Sequence, residues 1–211
     1  MTSVKIVTDS SCDLPDSLIN ELNIAIVPLK IRFGDSEFVD RVELSTDQFW
    51  KKCRQTDDLP STAAPAPGAF VEEFQKAASE GASAVVAIVL SGELSATIDA
   101  ANQAADIVKD QLEVRVIDSR TVTMGLGSIV VGAAQVAQAG GDIEAVSSQA
   151  SESVGRTYVH AALDTLENLR KNGRIGAAQS LLGSMLSICL LYTSDAADEG
   201  LGVDLGGRRI I

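Results

Sequence analysis

The chain has 211 residues, 45% of them hydrophobic, with 17 basic and 29 acidic side chains for a formal charge of −12. This composition builds a core and excludes a disordered chain, and the acidic balance lacks the basic footprint of a nucleic-acid binder. One histidine, His160, excludes a histidine-rich metal site, and Cys12, Cys53 and Cys189 have no metal-ligand spacing and suit a reducing, cytoplasmic setting.

The chain opens on "VKIVTDS", a short buried strand that ends in a polar loop. "SCDLPDSLINELN" follows as a helix with Asp13 as N-cap and Pro15 in the first turn. "IAIVPLKIRF" reads as one second strand, and "GDSEFVD" as a turn with a short hairpin arm. "STDQFWKKCRQ" is a helix capped by Ser45 or Thr46. "DDLPSTAAPAPGAF" reads as a loop whose Pro67 starts the helix "PGAFVEEFQKAASEG".

The apolar run "SAVVAIVL" predicts a strand, and the helix after it opens near Ser95. Leu94, Ile98, Ala101, Ala105 and Val108 form its apolar stripe, while Asp99, Asn102, Asp106 and Lys109 lie off it. "EVRVIDS" is another strand, and "VTMGLGSIVVGAAQVAQAGG" a long apolar helix closed by Gly140 and Gly141. "DIEAVSSQASESV" is a helix capped by Asp142. Strands and helices alternate to about Arg156, and continuous apolar strands suit a mostly parallel sheet with helices on both faces. The polar loops at Thr8–Ser10, Ser91–Thr97 and Asp118–Ser119 would then share one rim, where such folds hold ligands.

Three segments follow from this pattern. Residues 1–156 form an N-terminal α/β domain, and residues 157–188 begin a second α/β domain. There "TYVHAAL" reads as a strand, carrying His160 as a structural histidine, and "DTLENLRKNGRIGAAQSLLGSMLSI" as a helical segment interrupted at "NGRIG". Residues 189–211 lose periodicity; "LYTSDAADE" and "VDLGGRRII" read as a translated adapter, a non-native tail on a truncated frame. The start "MTSVKIVTDSS" turns polar too early for a signal peptide, and no run is long enough to span a bilayer.

The junction "LSGELSAT" places Ser91, Gly92, Ser95 and Thr97 between a strand and a helix. Such residues cap a helix, and they also suit an anion, because helix N-terminal N–H groups and hydroxyls all donate. No lysine or arginine lies in this stretch, so its donors are neutral and suit a protonated acid or an acyl phosphate. The sequence shows no phosphate-binding P-loop, no GxGxxG and no GxSxG elbow. A serine nucleophile at Ser95 could draw only on His160 as base.

Six pieces stand in order along residues 1–188: "IVTDSSCDLP", "FVDRVELSTDQFW", "LPSTAAPAPGAF", "LSGELSAT", "VIDSRTVTMGLG" and "LENLRKNGRIGAAQSLLG". In these the chain resembles the DegV family, the fatty-acid-binding subunits of bacterial fatty acid kinase. The resemblance implies a long-chain fatty acid in a tunnel between two domains, presented to a separate ATP-dependent kinase that forms the acyl phosphate. It implies no catalytic residue, metal or cofactor in this chain.

By the same resemblance, Thr62 and Ser95 hold the carboxyl group. Asp9, Ser10, Ser91, Ala96, Thr97, Asp118 and Ser119 are candidates to line the site, with a structural role in capping or loop formation as the alternative, which Ser91 and Thr97 fit better. Arg174, in the family's "GRIG", is expected in a structural turn. Two loops depart from the family pattern: Ala63 and Ala64 replace polar residues in one, and Ala96 replaces a glycine in the other, which limits backbone freedom beside the head group. The rest of the family's length would complete the second domain and one tunnel wall, so the chain as written is expected to bind fatty acid poorly. Alternative readings are a serine-dependent acyl hydrolase and a binder of another small anionic metabolite.

Overall fold

A computed structural model describes residues 3–56, 59–161, 163 and 165–176. The chain divides into two compact units, Met1–Val159 and His160–Ile211.

In the first unit β1 (Val4–Asp9), β2 (Ala25–Val27), β6 (Ala84–Val89) and β7 (Glu113–Asp118) form a four-stranded sheet in the order β2-β1-β6-β7. Every adjacent pair is parallel, with Ile6 opposite Val86 and Ala87 opposite Val116. The fold is therefore the expected α/β class, with helices on both faces. One face packs Val4, Ile6, Val86 and Ile88 against α5 (Met124–Gln138) and α6 (Ile143–Val154). The other packs Val7, Val85, Ala87 and Val89 against α3 (Pro67–Ser79) and α4 (Thr97–Val108). β6 is buried at all six positions, which explains its continuous apolar run.

The helix boundaries mostly follow their caps. Ser45 caps α2 (Thr46–Cys53) in a capping box with Gln48, Pro67 is the first residue of α3, and Asp142 caps α6. α5 ends at Gln138, with Gly140 in the left-handed region at φ +86°. At Gly127 a side chain would meet the Cys12 carbonyl oxygen at 2.4 Å, so glycine permits the approach of α5 to the loop after β1.

Several elements differ from the sequence expectation. "IAIVPLKIRF" is two strands in two sheets, because Pro28 has no N–H to continue a ladder. After it, β3 (Lys30–Phe33) pairs antiparallel with β4 (Ser36–Val39) and with β5 (Ser61–Ala63). β5 lies inside the stretch read as a loop; its partner β3 is remote in sequence, so periodicity could not reveal it. Asp13 does not cap α1 (Asp16–Glu21): Pro15 holds that position, and Asp13 closes the preceding Ser10–Cys12 turn at φ +52°. "TYVHAAL" forms no strand in its described residues, and His160 is exposed rather than enclosed as a structural histidine.

In the second unit α7 (Glu167–Lys171) ends at Asn172, and Gly173 turns the chain at φ +70°. Arg174 follows this turn and donates to the Asn172 carbonyl at 2.7 Å. The expected non-native tail, residues 189–211, lies outside the described residues.

Candidate functional site

Parallel pairing brings the ends of β1, β6 and β7 to one rim, and hydrogen bonds knit their loops together. Asp9 ends β1 fully buried and accepts from the Leu90 N–H at 2.8 Å and the Ser11 N–H at 3.0 Å. The Ser11 hydroxyl also donates to it. Burial pushes the Asp9 carboxyl above its usual range, against the downward pull of the bonds from Ser11 and Leu90. The Ser91 N–H donates to the Thr121 carbonyl at 2.9 Å, and the Ser119 N–H to the Val89 carbonyl at 3.0 Å. Asp118 accepts from the Gly92 N–H at 3.3 Å and from the Arg120 N–H at 2.8 Å.

Six of the expected residues, Asp9, Ser10, Ser91, Thr97, Asp118 and Ser119, thus stand with Ser95 on this rim. Their side chains are largely occupied by local bonds. The Ser91 hydroxyl accepts from the Glu93 N–H at 3.2 Å, and the Ser119 hydroxyl donates to the Thr121 carbonyl at 3.2 Å.

The Ser95 geometry is more open. α4 begins at Thr97, and Ala96 occupies its N-cap without a side-chain bond, so the cap falls one residue later than expected. Ser95 still serves the helix, because its hydroxyl accepts from the Thr97 N–H at 3.3 Å. The two hydroxyls, Ser95 Oγ and Thr97 Oγ1, lie 2.9 Å apart. Thr97 is fully buried and Ser95 half-buried. When Thr97 donates to Ser95, the Ser95 proton is left for an acceptor at the rim, on an oxygen already polarised by two donors. Ala96 has φ −76°, a value open to any residue.

Thr62 lies elsewhere, in the three-stranded sheet. It is exposed and stands opposite Ile31, which stands opposite Phe38, so the three share a face. α2 packs on this face through Phe49, whose ring lies 5.7 Å from Phe33. Ser10 connects this sheet to the rim, accepting from the Leu29 N–H at 3.0 Å and donating to Asp40 at 2.6 Å.

Sequence reasoning missed Arg41, which donates from Nη2 to the Leu14 carbonyl and to Asp16, each at 2.8 Å. Its partners are about 25 residues away in sequence, so no local pattern marks it. A groove of about 300 Å³, lined by Ser10, Asp13, Leu14, Asp40, Arg41 and Thr46 among others, lies beside these contacts. Among the described residues no group of three potential metal ligands comes together. No helix there is long and apolar enough to cross a membrane.

A family model described as "Uncharacterised protein, DegV family" matches residues 3–199. The chain belongs to the DegV family. The match runs past Ile188 into the segment read from sequence as a tail. A DegV domain-containing protein of Clostridium perfringens is 34% identical over 194 residues, covering 90% of this chain and 68% of that protein. Among solved structures, a Thermus thermophilus DegV family protein described for its fatty acid binding superposes with a TM-score of 0.74 at 31% identity. That likeness covers 88% of this chain and 65% of the other. Bacillus subtilis DegV, described as a fatty acid binding protein, gives 0.78 at 26% identity, covering 88% and 66%. The chain therefore spans about two thirds of the length of these DegV relatives.

Proposed function

We propose that this DegV chain belongs to a protein that binds a long-chain fatty acid and holds its carboxyl group between Ser95 and Thr62. The observation that carries this reading is the Ser95–Thr97 hydroxyl pair at the rim, in which donation from Thr97 leaves the Ser95 proton for the ligand. The fatty acid binding described for the Thermus thermophilus and Bacillus subtilis relatives supports the choice of ligand. Asp9, Ser10, Ser91, Ala96, Thr97, Asp118 and Ser119 shape the rim around the head group. The protein presents the bound carboxyl to a separate ATP-dependent kinase and supplies no chemistry, cofactor or metal of its own. It works in the cytoplasm.

A binding role also fits the surroundings of Ser95 better than a nucleophilic one. Its hydroxyl pairs with Thr97 and with no base among the described residues. Because the relatives are longer than this chain, ligand assays belong on a family-length protein that keeps these residues. Mass spectrometry of its organic extract is expected to give a fatty acid near one per protein. An extract without fatty acid, from protein that also takes up none when offered it, overturns the reading.

A further inference from the structure

Arg41 combines features that are costly apart and coherent together. Its backbone lies in the left-handed region at φ +63°, an unfavourable place for a long side chain. Its Nη1 is buried without a hydrogen-bond partner, a second unfavourable feature. Non-glycine residues keep such conformations only where their surroundings enforce them. Here the enforcing contacts are the two bonds from Nη2 to the Leu14 carbonyl and Asp16. The opposite side of the contact is also left-handed, at Asp13, φ +52°.

These contacts join two parts of the first unit. Leu14 and Asp16 belong to the segment after β1, which carries Ser10 at the rim of the parallel sheet. Arg41 follows β4 in the three-stranded sheet, whose β5 carries Thr62. The Arg41 N–H bonds the Leu44 carbonyl at 3.1 Å, so its backbone is fixed to the entry of α2 as well. The Ser10 bonds to Leu29 and Asp40 form a second tether nearby. Both bonds leave one nitrogen, Nη2, whose two N–H groups are held in the guanidinium plane, a fixed geometry that a freely rotating ammonium lacks.

We infer that Arg41 is a positioning residue: it holds the three-stranded sheet with Thr62 against the rim with Ser95, and so sets the spacing of the two hydroxyls. The inference rests on the proposed carboxyl site for its consequence in binding, and on the tether alone for its consequence in motion.

Two variants test it. Arg41→Gly adopts φ +63° freely and removes the unpartnered nitrogen, so relief of both costs offsets part of the lost clamp. Arg41→Lys keeps the charge and loses the planar guanidinium. The first measurement is amide exchange on the 211-residue chain without ligand. Amides of β3 and β5 are expected to exchange about tenfold faster in both variants, a loss on the scale of one net hydrogen bond, with β6 and β7 unchanged. The second is fatty acid affinity in the family-length protein, expected to fall about tenfold for Arg41→Gly and less for Arg41→Lys. Unchanged exchange in β3 and β5 overturns the tether, and faster exchange with affinity within twofold of the parent overturns the positioning role. A parent that binds no fatty acid overturns the carboxyl site and the binding consequence with it, while exchange still decides the tether.

Discussion

Asp9 is the buried carboxylate that holds the ends of β1 and β6 together, and replacing it tests how the rim is built. In Asp9→Ala, the Leu90 and Ser11 N–H groups lose their acceptor. Each orphaned buried donor costs about 1–3 kcal/mol. Leu90 is buried while Ser11 is half-buried, and removal of a desolvated charge returns part of the loss. The net cost is about 2–3 kcal/mol, a fall in melting temperature of about 4–12 °C for a unit of this size. Asp9→Asn keeps one acceptor and carries no charge, so its cost is about 1 kcal/mol.

The same pair of proteins gives a pH signature. Burial raises the Asp9 carboxyl above 3.8, so the folded state binds its proton more tightly than the unfolded state. The stability this contributes is fully present below pH 3.8 and is lost as pH rises through the folded value. Urea denaturation of parent and Asp9→Asn across pH isolates it, because the variant does not titrate there. The parent's stability relative to the variant should fall as pH rises through that window. A cost below about 1 kcal/mol for Asp9→Ala, or a difference that rises with pH, refutes the buried, hydrogen-bonded role.

Two other substitutions probe backbone constraints near the rim. Gly127→Ala places a Cβ 2.4 Å from the Cys12 carbonyl oxygen and 3.0 Å from Leu14, so α5 must move; thermal unfolding should show a loss of about 1–3 kcal/mol. Thr123 lies at φ +56°, ψ −142°, a region open mainly to glycine. Thr123→Gly should therefore stabilise the fold by about 1 kcal/mol in the same assay.

The sequence carried the parallel sheet clearly, because β1, β6 and β7 are short apolar runs followed by polar loops. That pattern also places Asp9, Ser91, Ser95 and Asp118 on one rim. It failed where partners are distant. β5 is exposed at all three positions, so only its pairing with β3 makes it a strand. Pro28 divides one apolar run between two sheets, and the destination of the second half depends on β4 and β5. Ser95 shows a finer limit: a hydroxyl at a strand-to-helix junction announces a cap, but the register of that cap is set by the backbone at Ala96. Arg41 gave no local signal, because its guanidinium acts on a segment that precedes it by an entire hairpin.

Fatty acid affinity in Ser95→Ala, compared with that of the parent, tests the central claim most directly. The family-length protein is titrated with a long-chain fatty acid and with its methyl ester, which keeps the tail and lacks the ionisable head. The account predicts that Ser95→Ala weakens the acid about tenfold or more, the effect of one lost bond to a charged group, and leaves the ester within about twofold. Equal affinities of parent and variant for the acid would contradict it.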